Sequence, residues 1–241
     1  MQLFGDVKYL EFFKKAPGAK IPYIKIFLDG SLGARTAWLS QRYADKASTG
    51  LSLWSDTELL ATAEAVLQSG FLLAFHAIGD KAVDQALWLA EKLEPLFKKV
   101  LAAHADPKCF HRLEHLQVCR DDQIEKIKKQ NLWTLGLQPA HRSFDLPFAE
   151  RALGTSRFQQ QAYRLGAFLA AGLRITLGSD APIAPFDVRH CFAAALSDPR
   201  EKERITREQA FALHTVLGRQ NAGLRVKKIA ARSKAWLSNK A

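Results

Sequence analysis

Four ionisable side chains close or interrupt successive apolar runs: Lys25 in YIKIFLDG, His76 in FLLAFHAIGD, His115 in HRLEHLQ and Asp180 in LRITLGSDAP. An amine, two imidazoles and a carboxylate can together hold a divalent cation. Neutral imidazole suits zinc, and a catalytic zinc keeps about three protein ligands plus an open position for water. Lys25 needs a solution of its own, because burying an unpaired ammonium is costly. A salt bridge, for instance to Asp29, is one; carboxylation by carbon dioxide, giving a carbamate that can bridge two ions, is the other. Taken singly, His76 and His115 read as hydrogen-bonded core residues and Asp180 as a turn or cap carboxylate. Taken in order, on successive strand and helix units, they point to the catalytic end of a barrel. There Asp180 can bind the ion and also accept the proton of a water that the ion has made acidic. Strand alternation predicts that Glu114 faces away from His115.

The elements that must position these groups are short apolar runs alternating with helical patterns, the signature of repeated strand–helix units and a parallel sheet. Five strands are expected: Tyr23–Leu28, Phe71–Phe75, Arg112–Leu116, Leu132–Leu137 and Leu173–Leu177. Ser55-Asp56-Thr57-Glu58 and Thr206-Arg207-Glu208-Gln209 read as capping boxes that open helices. Asp80 reads as the cap of a helix carrying Val83, Ala86, Leu87 and Ala90. Asp121 or Asp122 opens another, and one more is expected from Phe158 to Ala171. Residues 142–156 read as a long, lid-like loop.

Composition narrows the function classes. The 241 residues are 48% hydrophobic, enough to bury one large core. No apolar run approaches the roughly 18 residues of a membrane span, and the start lacks a signal-peptide pattern, so the expected location is cytoplasmic and no membrane partner is expected. Cys109, Cys119 and Cys191 form no C-x-x-C pair and read as reduced bystanders. Seven of the eleven net positive charges fall between Arg219 and Ala241, where there is no Asp or Glu. That segment reads as a solvated tail rather than a nucleic-acid footprint. Residues 1–220 are expected to form the barrel portion and residues 221–241 a poorly ordered basic tail.

The sequence resembles the amidohydrolase superfamily, and within it the amidohydrolase family 3 group that includes N-substituted formamide deformylase. The resemblance lies in Lys25 to Ala37 (KIFLDGSLGARTA), His76 to Val83 (HAIGDKAV), Arg112 to Gln117 (RLEHLQ), Gln138 to His141 (QPAH) and Gly178 to Pro182 (GSDAP). It implies a (β/α)8 barrel of which this chain carries about strands four to eight. It also implies a divalent metal, usually zinc, and hydrolysis of non-peptide carbon–nitrogen bonds in a small amide-type substrate. By position, Lys25, His76, His115 and Asp180 become the metal ligands, Asp180 also the general base, and His141, Arg35 and Asp29 candidate substrate or second-rank groups. The family's His-x-His strand and its terminal β-sandwich have no counterpart in these residues. The chain is therefore expected to be a fragment, with open edges at strands four and eight. The competing expectation is an inactive remnant that self-associates or meets a complementing chain through those edges.

Overall fold

The computed structural model describes residues 4–15, 23–104, 109–215 and 217–218. The expected basic tail, residues 221–241, lies outside the described residues. Six parallel strands form one open sheet in sequence order: β1 (Phe4–Asp6), β2 (Tyr23–Phe27), β3 (Leu72–Ala77), β4 (His111–His115), β5 (Trp133–Leu137) and β6 (Ile175–Leu177). The helices are α1 (Leu10–Lys14), α2 (Asp56–Gln68), α3 (Asp80–Lys92), α4 (Glu94–Ala103), α5 (Asp121–Gln130), α6 (Pro139–Leu153), α7 (Thr155–Gln161), α8 (Leu165–Ala170), α9 (Val188–Leu196) and α10 (Arg207–His214). An unclosed parallel sheet with its helices is the partial barrel expected from the sequence. β1 is additional: Phe4 to Asp6 pair in parallel register with Tyr23 to Lys25, so the Lys25 strand is internal and the sheet edge moves one strand outward.

Between sheet and helices lies the main core. Ile24, Ile26, Leu73, Phe75, Leu113 and Leu135 are fully buried there against α2, α3 and α4. His111 belongs to it too, accepting from Leu73 N at Nδ1 and donating from Nε2 to Phe97 O. A second, smaller apolar cluster caps the C-terminal ends of the strands. It joins Leu32, Ala37, Leu39 and Tyr43 of the long β2–α2 connection to Ile78, Val118 and residues of α6 and α7.

Both predicted capping boxes form, at Ser55 with Glu58 and at Thr206 with Gln209. Elsewhere the local expectation yields. Gly79, not Asp80, is the cap of α3. Asp80 is instead drawn into a tertiary clamp, accepting from Ser40 N, the Ser40 hydroxyl and Arg120. The expected loop at residues 142–156 is mostly helix α6, which starts with Pro139, tolerates Pro147 and buries Ala149, Ala152 and Leu153. Apolar burial against Leu32, Leu39 and Tyr43 of the β2–α2 connection outweighs the proline. The single helix expected from Phe158 to Ala171 is two, broken at Tyr163, whose φ of 50° lies in the left-handed region.

Candidate functional site

The strand register decides which side chains share the concave face. Phe27, His76, Glu114 and Gly136 align across β2 to β5, and Lys25, Ala74, Arg112 and Thr134 align one step earlier. Glu114 is thus on the same face as His76. His115 nevertheless joins them: its φ of 80°, followed by 44° at Leu116, ends the strand's alternation and swings the imidazole inward. The His76 and His115 ring centroids are 4.5 Å apart. The expected opposition of Glu114 and His115 fails because a left-handed residue intervenes. Glu114 pairs with Arg112 at the floor of the site, and Gly136 leaves the room, since a Cβ there would run into Glu114 Oε2 and the Arg112 guanidinium.

Each histidine has a defined tautomer. His76 Nε2 lies 3.0 Å from Gly30 O, which can only accept, so the lone pair is on Nδ1. Gln138 donates its amide nitrogen to Gly136 O at 3.1 Å, which turns its Oε1 toward His115 Nδ1 at 2.9 Å. His115 therefore carries its proton on Nδ1 and leaves Nε2 bare, buried and without a hydrogen-bond partner among the described residues. Burial pushes the His76 pKa down to about 4, and the Lys25 charge adds to the effect. His115 is also held well below the usual histidine range, by burial and then by His76 and Lys25. Both rings are consequently neutral near pH 7, the form that ligates a cation.

Asp180, at φ 56° and half-buried, follows β6 across the concave end. His141 Nε2 is 3.9 Å from its Oδ2. One ligand atom each from His115, His141 and Asp180 lie within 4.8 Å of one another. Burial raises the Asp180 pKa while Lys25 and His141 oppose the rise. Lys25 acts on His76, His115 and Asp180 alike, and its Nζ stands 4.9 Å from the Phe27 ring centre. His76, His115 and Asp180 line one cavity, and His141 joins them because α6 begins immediately after β5. The bare buried nitrogen beside a carboxylate fits a divalent cation, since leaving such an acceptor unpaired is otherwise costly.

Asp29 and Arg35 do not line this site. Asp29 lies beneath it, its side chain fully buried and accepting from Trp38 N, Ile78 N and Gly79 N at 2.8 to 3.0 Å, with His76 Nε2 at 3.6 Å. Burial raises its pKa to about 7 against those three donors. Arg35 turns to Asp45 and to the carbonyls of Leu32 and Gly33, in a neighbouring cleft. A cavity of about 330 Å³ opens over His76, His115, His141 and Asp180, and its remaining wall includes Leu32, Ile78, Phe144, Phe148 and Ile183. Gln117, Gln138 and Asp145, none singled out from the sequence, surround the histidines. Gln117 closes one matched motif and Gln138 opens another, the one local signal that could have found them.

A sequence profile of the amidohydrolase family matches residues 4–235. The chain is 33% identical over 172 residues to YtcJ of Bacillus subtilis (strain 168), which carries the name amidohydrolase provisionally. It is 29% identical over 174 residues to protein LONG AFTER FAR-RED 3 of Arabidopsis thaliana. Those alignments cover 71% and 72% of this chain but 30% and 28% of the relatives. Among solved structures, an uncharacterized metal-dependent hydrolase from Pyrococcus furiosus superposes with a TM-score of 0.75 at 32% identity, over 91% of this chain and 46% of that one. Another from Pyrococcus horikoshii OT3 gives 0.75 at 25% identity, over 93% and 48%. The chain spans less than a third of the two sequence relatives and just under half of the two structures.

Proposed function

Given that this chain belongs to the amidohydrolase family 3 group, we propose that it hydrolyses a non-peptide carbon–nitrogen bond in a small amide-type substrate. The observation that carries this reading is His115 Nε2, a buried lone pair with no partner, facing Asp180 at the C-terminal end of a parallel sheet. His115, Asp180, His76 through Nδ1 and Lys25, as amine or carbamate, would hold the cation, with zinc preferred by the imidazoles. Zinc, when bound, supplies a Lewis acid that polarises a carbonyl and acidifies water. Asp180 accepts the water's proton, and its raised pKa makes it a stronger base than an exposed carboxylate. The aromatic and aliphatic wall formed by Leu32, Phe144, Phe148 and Ile183 favours a substrate with an apolar substituent and sheds water around the reacting bond.

The test is zinc content by elemental mass spectrometry after reconstitution with bicarbonate, combined with a screen of N-acyl amides. About one zinc per chain is expected, lost in His115→Ala, with hydrolysis abolished in Asp180→Asn while the fold persists. Absence of bound zinc overturns the proposal. A second reading, a non-catalytic chain that self-associates, is favoured by the two sheet edges at β1 and β6 and by Phe27, which is 47% exposed. A zinc-loaded monomer by light scattering excludes it.

A further inference from the structure

The two glutamines that border the site present opposite ends of their amides to the two histidines behind Asp180. Gln138 offers oxygen to His115, as described above. Gln117 offers nitrogen to His141: its Nε2 lies 3.3 Å from His141 Nδ1. The Asp145 carboxyl beside them agrees with that orientation: burial raises its pKa, and Tyr163, His141 and the Gln117 amide oppose the rise. With the amide nitrogen toward it, His141 Nδ1 accepts, and the ring proton sits on Nε2.

The arrangement is built rather than incidental. His141 and Asp145 stand one turn apart on α6, so both face Gln117. Tyr163 donates its hydroxyl to Asp145 Oδ2 at 2.6 Å. The backbone N of Tyr163 donates to Gln117 O at 2.8 Å, and Val118 bridges Ala162. The left-handed break between α7 and α8 is what brings Tyr163 there. At the other end of this chain of bonds, His141 Nε2 is buried and makes no well-formed hydrogen bond among the described residues: burial lowers the ring's pKa, the nearby Ser179 backbone only opposes that, and Asp180 Oδ2, at 3.9 Å, is too far to accept from it.

We infer that His141 is a hydrogen-bond donor to the oxygen of the substrate's scissile carbonyl rather than a metal ligand, and that Gln117, Asp145 and Tyr163 are positioning residues that hold it in the Nε2–H tautomer. The inference rests on the hydrolase reading for the identity of the acceptor, but the tautomer stands independently of it. A preset donor aimed at developing negative charge is the arrangement that stabilises acyl-transfer transition states. Opposite tautomers then divide the labour of two neighbouring imidazoles: His115 offers a lone pair, His141 a proton.

Long-range proton–nitrogen NMR of the full chain, labelled on histidine ring nitrogens, reads this directly. His141 is expected as the Nε2–H tautomer and His115 as Nδ1–H. On zinc addition only His115, with His76, should move to metal-bound shifts. Gln117→Leu should release His141 into a mixture of tautomers. In the hydrolysis assay the same variant should lower kcat by roughly tenfold or more, as loss of an orienting partner does, with zinc content and KM unchanged. Finding His141 as Nδ1–H in the wild-type protein, or a metal-bound shift at its Nε2, overturns the inference. Failure of zinc to bind at all defeats the hydrolase reading and leaves the tautomer result intact.

Discussion

Arg120→Ala tests whether the loops over the site are held by a charge cluster. The Arg120 guanidinium reaches Asp80 and Asp84 at 2.8 Å and Asp122 at 3.0 Å. These partners are unequal: the side chain of Asp80 is 2% exposed, that of Asp84 35% and that of Asp122 69%. The two wetter pairs are worth at most about 1 kcal/mol each. Asp80 is different, because removing Arg120 strands a buried carboxylate whose other hydrogen-bond donors among the described residues are Ser40 N and the Ser40 hydroxyl. Leaving a buried charge uncompensated costs about 3–5 kcal/mol. The expected loss is therefore about 3–5 kcal/mol, or roughly 1–2.5 M in urea midpoint at a slope of about 2–3 kcal/mol/M. In an Asp80→Asn background the same substitution should cost at least about 1 kcal/mol less, the mark of direct coupling. Because Ser40 belongs to the β2–α2 connection that carries Leu32 over the cavity, zinc affinity should fall together with stability. An Arg120→Ala loss below about 1 kcal/mol, or equal losses in the two backgrounds, would refute the assignment of the energy to Asp80.

Gly136→Ala drives a methyl into Glu114 and Arg112 and should cost about 2–5 kcal/mol by thermal melting, combining overpacking with a disturbed buried ion pair; a neutral result would show that the pair has room to move. Burial depresses the pKa of His111 to about 3. Its folded pKa lies below the unfolded value of about 6.5, so the neutral ring's contribution is complete above that pH and is lost as pH falls toward 3. The stability advantage of wild type over His111→Gln should shrink by about 1.4 kcal/mol per pH unit between about pH 6 and 4, measured by urea titration at each pH. Zinc at about a hundred times its Kd should stabilise the protein by about 2.7 kcal/mol, reversed by a chelator and absent in His115→Ala; unchanged melting curves would count against the cation site.

The order of the strand–helix units and the capping boxes at Ser55 and Thr206 were legible in the sequence alone, because each is written in local periodicity or in a short motif, and the same motifs singled out Lys25, His76, His115 and Asp180 for the proposed site. The sequence also suggested that His141 belonged near the site. What the tertiary structure decided is how these groups face one another. No propensity places a histidine at φ 80°, yet that torsion carries His115 past the strand's alternation to His76. Asp29 and Arg35 stand in the same matched motif, but backbone donors from Ile78 and Gly79 take the first, and Asp45 the second. The break at Tyr163 looks like continuous helix in sequence; the bonds that reward it run to Gln117 and Asp145, outside its own helix. β1 shows the same limit, since three residues form a strand only because Tyr23 to Lys25 already present an edge. Side-chain type and spacing are local properties and can be read along the chain. Tautomers, left-handed turns and buried partners depend on groups far apart in sequence, and only the folded chain brings them within hydrogen-bonding distance.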